Sequence, residues 1–495
     1  MTTARTRRWS ARAAAVLVAV VVAGTAMPAA EARPPKGDTA RVSEGSKGEQ
    51  LDGSSSALGL SDDGRYALFS SAATNLLPQE GTPNMDEIYV RDLRNGHVER
   101  VSVADDGSRL NALTSEASIS GDGRYVAFST TATNVVPDQP KHRSDIYVRD
   151  LWTGSTELVT EGGLPSTDDQ SGRDAMSPSI SGDGRYVAYV SDRTDLAPAT
   201  ENRGGKNIYV TDRWTRTTRL VSADLNGRPG NRASYFPTIS ADGSTIGFGS
   251  MAGNLLSAAP ADSTAPADST APTDFADAGL ADDTGPADDP GTAADTGSAP
   301  GAGSARLAPL PHYHPYYVWK ADTGRITVGS LNEAGRTAGA RPDARVSPDG
   351  RYTVYSLASQ GTGVPGHGDT QMNVYVQELA TGKVTRVSTG LPGTTPNGSS
   401  SAGVMTADDR WVYFESAADN LVPGDTNQVT DVFRRDLSTG TIERVSLTRD
   451  GEQSNATAYG PYVDADGDTA IFTAQDGNLV PGDTNLQWDV FLRRL

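Results

Sequence analysis

One phrase recurs along the chain at a nearly constant interval. The stretch SGDGRYVAYVSD (residues 181–192) has close copies that begin at Ser120 and Ser347. When the residue at the Gly place of each phrase is marked, the successive gaps are 59, 61, 59, 107, 59 and 58 residues. The marked positions are Gly64, Gly123, Gly184, Gly243, Gly350, Asp409 and Gly467. A repeat of this period predicts an array of similar structural units.

Each unit contains four strand-like pieces. Around Gly184, SPSIS leads through a Gly-Asp-Gly turn into RYVAYVS, which is a hairpin pattern, and NIYVTDR and TRLVSA follow. The first pieces are rich in Ser, Gly and Ala, as expected of crowded strands around a channel. The third pieces are apolar without alternation, as expected of strands covered on both faces. A four-stranded unit repeated radially is a propeller blade, so we predict an all-β, seven-bladed β-propeller of four-stranded blades.

The two chain ends complement each other. The seventh unit stops at DVFLRRL, the C-terminus, before any fourth strand. The missing piece, ARVSE (residues 40–44), precedes the first hairpin. We expect strand 40–44 to complete blade 7, which would close a propeller of residues 40–495 and remove its open edges.

The segment before the propeller resembles an export signal. An Arg-rich start is followed by an apolar run at residues 13–27 and by small residues that suit cleavage before Arg33. The run is shorter than the ~20 residues of a membrane-spanning helix. We therefore predict a signal peptide at 1–32, a short lead at 33–39, and an exported protein, secreted or envelope-associated (extracellular or periplasmic), with no transmembrane segment after cleavage.

The longest gap in the repeat is filled by a segment of biased composition. Residues 257–304 contain nine Asp and no Lys or Arg, with Ala, Pro, Thr and Gly making up most of the rest. Such a segment cannot bury enough apolar surface to offset the entropy of ordering it. We predict a disordered insertion between the second and third strands of blade 4.

Charge and cysteine content exclude several kinds of partner and chemistry. The formal net charge of −19 disfavours nucleic acid and anionic membrane surfaces. The chain has no Cys, which excludes disulfides, thiolate metal sites and Cys nucleophiles. No G-x-S-x-G nucleophile elbow occurs. We expect a monomer without an organic cofactor.

The repeat resembles that of a known family. PDGRYTVYS followed by NVYVQELATGKVTRVS is similar to the repeat of TolB-type propellers, a WD-repeat-like family of exported bacterial proteins. The resemblance covers residues 40–495 apart from the insertion. It implies an interaction platform, although similar propellers also act as non-catalytic gates fused to prolyl-oligopeptidase-type hydrolases. This chain departs from TolB in having seven blades instead of six and no separate N-terminal domain.

The motif VPGDTN is the leading candidate for a metal site. It occurs in blade 6 as NLVPGDTNQVTDVF and in blade 7 as NLVPGDTNLQWDVF. Hard oxygen ligands at i, i+2 and i+6 suit Ca²⁺, whereas Asp and Asn in such loops also bond their own backbone in turns. The candidate ligands are Asp425, Asn427, Asp431, Asp483, Asn485 and Asp489. His312 and His314 (PHYHPYY) form a weaker two-His candidate without a third ligand.

The architecture also predicts where a ligand binds. Loops between second and third strands share one rim with the long, polar connections between blades, and variable loops on a rigid scaffold tend to carry binding residues. Aromatic candidates for ligand contact there are Tyr235, Phe236, Tyr459, Tyr462 and Trp488. We favour a non-enzymatic scaffold that binds a protein, peptide or cell-envelope ligand. The alternative is a lactonase- or lyase-type enzyme with a metal-assisted site at the central channel.

Overall fold

The computed structural model describes residues 37–77, 86–137, 144–161, 174–197, 205–256, 313–358, 371–475, 477–485 and 487–495. The predicted signal peptide (1–32), most of the lead and the predicted insertion (257–304) lie outside the described residues. No helix occurs in the described part of the chain, so none there is long and apolar enough to span a bilayer. The described residues form seven antiparallel sheets.

The strands follow the predicted order in every blade. Blade 1 contains β2 (Ser55–Leu60), β3 (Tyr66–Ser71), β4 (Glu87–Asp92) and β5 (Val98–Arg100). Blade 2 contains β6 (Thr114–Ile119), β7 (Tyr125–Thr130), β8 (Asp145–Asp150) and β9 (Ser155–Leu158). Blade 3 contains β10 (Ala175–Ile180), β11 (Tyr186–Ser191), β12 (Asn207–Asp212) and β13 (Thr217–Leu220). Blade 4 contains β14 (Ser234–Ile239), β15 (Thr245–Ser250), β16 (His314–Lys320) and β17 (Ile326–Val328), and β18 (Gly339–Ala340) pairs with β16.

The remaining blades repeat the same arrangement. Blade 5 contains β19 (Arg345–Val346), β20 (Tyr352–Ala358), β21 (Met372–Glu378) and β22 (Val384–Arg386). Blade 6 contains β23 (Ser400–Met405), β24 (Trp411–Ser416), β25 (Asp431–Asp436) and β26 (Ile442–Arg444). Blade 7 contains β27 (Thr457–Val463), β28 (Thr469–Gln475), β29 (Trp488–Arg494) and β1 (Thr39–Arg41). First strands of most successive blades contact one another, and β23 of blade 6 contacts β20 and β21 of blade 5, so the first strands surround the ring axis. The predicted seven-bladed β-propeller is confirmed.

The N-terminal strand completes blade 7, as predicted. β1 pairs antiparallel with β29, with Ala40 opposite Leu492. The paired strand is residues 39–41, slightly earlier than the predicted 40–44. Beyond it, the N–H of Val42 still donates to the Val490 carbonyl at 2.7 Å. The ring is therefore closed by hydrogen bonds between the two ends of the propeller.

The core lies between neighbouring sheets and repeats with the blades. One apolar cluster combines Ile471 and Leu492 of blade 7 with Phe69 and Tyr89 of blade 1. In every blade an aromatic residue of the second strand packs against one of the third, with ring centroids 5.8–6.2 Å apart. Because each such pair is buried, the aromatic contacts contribute to holding every blade in the same geometry.

The repeated phrase forms the hairpin turn between the first and second strands. The six Gly positions have φ of 64° to 74°, which favours glycine, and Asp409 adopts φ 61° at the seventh. Six blades place a Ser or Thr hydroxyl before the turn, where it accepts a backbone N–H five residues on; Ser120 does so at 2.9 Å from Tyr125. Blade 7 uses the carboxylate of Asp464 instead. DADGD (464–468) thus forms the hairpin turn of blade 7.

Candidate functional site

The long loops gather on one face of the propeller, as predicted. In blade 1, Asn75 in the loop after the second strand donates to the Gln50 carbonyl in the connection that enters the blade. We call this surface the loop face. Its described residues include those of 42–54, 72–77, 101–113, 131–137, 192–197, 221–233, 251–256, 313, 329–341, 387–399, 417–430, 445–456 and 477–485. The opposite surface, formed by the short hairpin turns, is the hairpin face.

Asparagine side chains clamp the loop face in place. In blade 4, Asn254 accepts the Asn231 N–H at 2.9 Å and donates to the Pro229 carbonyl at 3.1 Å. Asn231 returns a bond by accepting the Gly253 N–H at 2.9 Å. The same exchange with the incoming connection is made by Asn75, Asn134, Asn420 and Asn478. We did not predict this role, although the Asn recurs before an apolar pair in five units.

Exposed apolar side chains are concentrated on the loop face. Leu113, Leu225, Leu256 and Tyr313 are 46%, 60%, 42% and 44% exposed. Three of them flank blade 4: Leu256 and Tyr313 lie at the two ends of its long loop, and Leu225 lies in the connection that Asn254 clamps. Among the described residues of the hairpin face, the large apolar side chains that are exposed are Trp152 and Trp214, each stacked on an arginine 4.8 Å away.

The two VPGDTN motifs each surround an arginine. In blade 6 the Arg444 guanidinium lies 2.9 Å from Asp425 and 3.6 Å from Asp431, and the Asn427 amide donates to Asp431 at 2.8 Å. Arg444 comes from the fourth strand, so the positive charge between the two carboxylates is supplied by the chain itself.

Blade 7 repeats this arrangement with an arginine from the other end of the propeller. Arg41 of β1 lies 3.2 Å from Asp483 and 3.6 Å from Asp489, and Asn485 donates to the Leu51 carbonyl. Burial raises the pKa of Asp489 to about 6, aided by Asp483 and opposed by Ser43 and Arg41. The structure brings the predicted ligands together around arginines, and calcium binding by these residues stays a prediction.

The predicted ligand-facing aromatic residues lie in strands instead of rim loops. Tyr235 and Phe236 belong to β14, and their rings are 6.0 Å apart. Tyr459 and Tyr462 belong to β27, and Trp488 begins β29 with its ring 4.6 Å from Tyr459. Their placement in the loops was wrong, because the connections end earlier than the polar sequence suggested. Their contact with a ligand stays a prediction.

Carboxylates around the channel join neighbouring blades. The bulged first strands contain residues with φ between 51° and 64°, namely Ser177, Phe236, Ala402 and Gly460. Glu116 accepts the Ser177 N–H. Asp343 accepts the Ala402 N–H at 2.8 Å, and Glu415 accepts the Gly460 N–H at 3.0 Å. Each carboxylate thus satisfies a backbone N–H of the next blade.

An aliphatic residue ends the first strand of every blade near the hairpin face. We call these residues the aliphatic ring; it consists of Leu60, Ile119, Ile180, Ile239, Val346, Met405 and Val463, the last residues of the first strands. The residue before the last one of a first strand can bond the next blade through its hydroxyl. Ser118 of blade 2 accepts the Ile180 N–H of blade 3, and Ser179 of blade 3 accepts the Ile239 N–H of blade 4. All members of the aliphatic ring except Val463 line an open pocket of about 200 Å³, together with polar residues that include Asp62, Thr238 and Arg345.

The histidine candidates do not form a metal site in the described residues. His314 begins β16, and its buried Nε2 atom has no hydrogen-bond partner there. Burial lowers the pKa of His314 below its ordinary value. His312 lies outside the described residues. No three His, Asp or Glu side chains of the described ranges group closely enough to hold a metal ion. The enzyme alternative therefore has no supporting cluster there and stays a prediction.

Comparison with known proteins finds solved structures of low sequence identity to this chain. No protein-family model matches the chain, and no curated protein matches it. Solved structures similar to it include an oligogalacturonate lyase from Vibrio parahaemolyticus, with 12% identity, TM-score 0.49 and coverage of 93% of this chain and 97% of that chain. The β-propeller domain of the Trilobed protease from Pyrococcus furiosus has 12% identity, TM-score 0.45 and coverage of 85% and 89%.

TolB is also among the similar structures, as the repeat predicted. TolB from Acinetobacter baumannii has 14% identity and TM-score 0.33, with coverage of 87% of this chain and 80% of that chain. These neighbours have different activities in their names and share low identity with this chain. These likenesses do not carry a function to this protein.

Proposed function

We propose that this protein is a non-enzymatic binding scaffold that holds a protein, peptide or cell-envelope ligand on its loop face. The observation that carries the proposal is the set of exposed apolar residues around blade 4, Leu225, Leu256 and Tyr313. Exposed apolar side chains on one face of a propeller are candidates for ligand contact. The Asn254 clamp holds the Leu225 connection in one conformation, which lowers the entropy that a ligand must offset on binding.

The expected ligand site can be tested by comparing the two faces. The double variant L225S/Y313S removes apolar area from the loop face, and W152S/W214S removes apolar area from the hairpin face. Each variant is used to capture ligands from the envelope and secreted fractions, and the affinity of the captured ligand is then measured. We expect L225S/Y313S to weaken binding roughly tenfold or more, as for a central anchor of an interface, and W152S/W214S to bind as the unaltered protein does.

The opposite result would contradict the proposal: loss of binding in W152S/W214S with normal binding by L225S/Y313S.

Repeating the capture with a calcium chelator tests the calcium prediction in the same experiment. If Asp425, Asp483 and their neighbours hold Ca²⁺ that stiffens the loop face, the chelator weakens binding. If the arginines alone neutralise these carboxylates, the chelator has no effect.

We also propose that the protein is exported, on the basis of the Arg-rich start and the apolar run at residues 13–27. We further propose that it acts as a monomer. Mass spectrometry of the mature protein is expected to find an N-terminus at Arg33. A mature protein that retains residues 1–32 would contradict cleavage. Size-exclusion chromatography with light scattering is expected to give the mass of one propeller.

A further inference from the structure

Two departures from the repeat meet on the hairpin face between blades 3 and 4. Ser244 occupies the place that an arginine occupies in five other blades, and Ala321 occupies the place that a leucine occupies in five others. The two small residues lie side by side, since the Ala321 N–H donates to the Ser244 carbonyl at 2.8 Å. They border an open pocket of about 310 Å³. Small-molecule sites measure roughly 300–1,000 Å³, so this pocket suits a ligand the size of a single ring.

The charges that line this pocket cancel one another. The charged side chains of the lining are Arg185, Arg219, Asp212 and Asp242. The hydrogen bond with Arg185 lowers the pKa of Asp212. Burial opposes the ionisation of Asp242, but hydrogen bonds from neighbouring serines lower its pKa overall. Two positive and two negative groups therefore face the pocket, which favours a neutral ligand over an anion or a cation.

The polar groups of the pocket keep hydrogen-bonding capacity for a ligand. Arg185 uses Nε and one terminal nitrogen on Asp212, at 3.1 and 2.7 Å, and its other terminal nitrogen makes no hydrogen bond within the described residues. Arg219 is exposed and has no hydrogen bond or ion pair with any residue that the structure describes. Donors and carboxylate acceptors thus lie around one space. A hydroxyl both donates and accepts, so this mixture suits a ligand with several hydroxyls.

An exposed tryptophan stands beside the pocket. Trp214 is 65% exposed, and the guanidinium of Arg185 lies 4.8 Å from its ring centroid. The same guanidinium lies 4.8 Å from the ring of Tyr186, which also lines the pocket. Asp212 accepts the Trp214 N–H at 3.0 Å, so one carboxylate fixes both Arg185 and the turn. The indole is held in place while most of its surface faces solvent, which lowers the entropy lost on binding.

Blade 2 repeats this stack next to blade 3. Trp152 is 67% exposed and lies on Arg124 at 4.8 Å. The Tyr125 ring contacts Arg124 at 4.8 Å and Arg213 of blade 3 at 4.5 Å, so stacked groups continue from Trp152 to the residue before Trp214. Six blades have this turn, and the equivalent residues of the other four are Arg94, Asp322, Ala380 and Ser438. Tryptophan therefore marks the two neighbouring blades that lead to the pocket.

We propose that the hairpin face binds a neutral oligosaccharide, with one sugar in the pocket and further sugars on Trp214 and Trp152. The C–H bonds on the flat face of a sugar carry partial positive charge, and the negative face of an indole attracts them. The hydroxyls at the edge of the sugar then bond the arginines and aspartates of the pocket. A proline-rich peptide also stacks on tryptophan, but its prolines have no N–H to donate to the two carboxylates. This site is separate from the loop face and goes beyond the function proposed for it.

Calorimetric titration of the full chain with defined sugars tests this inference. The neutral probes are cellohexaose and chitohexaose, whose flat rings suit stacking, and a chitosan hexamer is the positively charged counterpart of both. We expect at least one neutral hexasaccharide to bind, and the chitosan hexamer to bind more weakly. The disaccharide of the same sugar is also expected to bind more weakly, because it contacts fewer of the stacked groups. Bound sugar is expected to protect tryptophan fluorescence from quenching by acrylamide.

Matched variants locate the site. W214A is expected to weaken hexasaccharide binding roughly tenfold or more, as for a central anchor. R94A removes the equivalent turn side chain of blade 1 and is expected to leave binding unchanged. R219A is expected to weaken binding roughly fivefold through the loss of hydrogen bonds to the sugar. If W214A does not fold by circular dichroism, W214F keeps a smaller ring and is expected to bind more weakly than the unaltered protein.

Several outcomes would overturn the inference. These are absence of binding by both neutral hexasaccharides, equal binding of the chitosan hexamer, binding of a proline-rich peptide in place of the sugars, or unchanged binding by folded W214A or W214F. The L225S/Y313S variant is expected to bind the sugar normally, and W152S/W214S is expected to lose the sugar while keeping the ligand of the loop face. Failure of either proposal therefore leaves the other unaffected.

Discussion

Asp464 shows how one residue departs from its six counterparts in the repeat. Elsewhere a Ser or Thr accepts the N–H five residues on and donates to the Asp two residues on; Ser120 bonds Asp122 in this way. Asp464 accepts the Thr469 N–H at 3.0 Å, but it faces the negative charges of Asp466 and Asp468. Burial, with these neighbours, raises the pKa of Asp464 to about 6.

This pKa leads to a prediction about stability and pH. The native state binds a proton at Asp464 more tightly than the unfolded chain does, so stability falls as pH rises from about 4 to about 6. D464S keeps the turn hydrogen bond and removes the charge. We expect it to flatten this fall and to stabilise the protein at neutral pH by roughly 1–3 kcal/mol. Urea unfolding at several pH values measures both effects.

The reverse substitution provides the control. S120D places an aspartate at the equivalent position of blade 2, and we expect it to introduce the same loss of stability between pH 4 and 6. Equal pH profiles for D464S and the unaltered protein would show that the Asp464 carboxylate does not titrate in this range.

Other residue-level features could not be predicted from the sequence. The hard-ligand spacing of Asp425, Asn427 and Asp431 is present in the chain, but the spacing says nothing of Arg444, which approaches from another strand. Buried polar groups find partners that are distant in sequence, and a pattern within one loop does not contain that information. The contact of Arg345 in β19 with the ring of Tyr462 in β27, 5.0 Å away, was missed for the same reason.

At the scale of the strand and loop, the repeat predicted most of what the structure contains. The glycine of each repeated phrase predicts the hairpin turn, because glycine adopts positive φ readily. The apolar third piece of each unit predicts the third strand of the blade. The bulges of the first strands were not predicted, because Ser177, Phe236 and Ala402 adopt φ of 51° to 53°, which their residue types do not favour. Contacts with the next blade, such as Glu116 with Ser177, accompany this geometry.

The asparagine clamp belongs to this scale and gives a prediction for the loop face. N254A removes the two hydrogen bonds to residues 229 and 231. We expect a loss of about 1–2 kcal/mol in stability and faster amide exchange, concentrated in residues 225–231. N226A, an exposed Asn in the same connection, serves as the control and is expected to change little. Exchange that rises evenly across blades would contradict a local clamp.

At the scale of the molecule, the hairpin turns join into a ring around the channel. Six turns each donate a backbone N–H to the turn of the next blade. The donors are Asp62, Asp122, Gly182, Ala241, Ala407 and Ala465. The equivalent residue of blade 5 is Pro348, which has no N–H; there Arg351 instead pairs with Asp409 of blade 6 at 2.9 Å. The last link, from Ala465 to Asp62, joins blade 7 to blade 1.

The number of blades and the exchange of chain ends were both predicted, because counting the repeats and finding a missing fourth strand require no knowledge of side-chain contacts. The position of the loop face was predicted from the same order of four strands per blade, because loops after the second and fourth strands emerge on one side. What borders each pocket, and which loop residues stay exposed, depends on how seven blades approach one another, and that geometry is absent from any single repeat.

The closed ring is tested most directly by a disulfide between β1 and β29. The chain has no Cys, so A40C/L492C introduces one pair at positions that face each other across the two strands. We predict that this pair oxidises readily, as shown by a mobility shift on a non-reducing gel that both single-cysteine variants lack. The bond is expected to stabilise the protein by about 2–4 kcal/mol. Persistent free thiols in the folded, oxidised double variant would show that the N-terminal strand does not close blade 7.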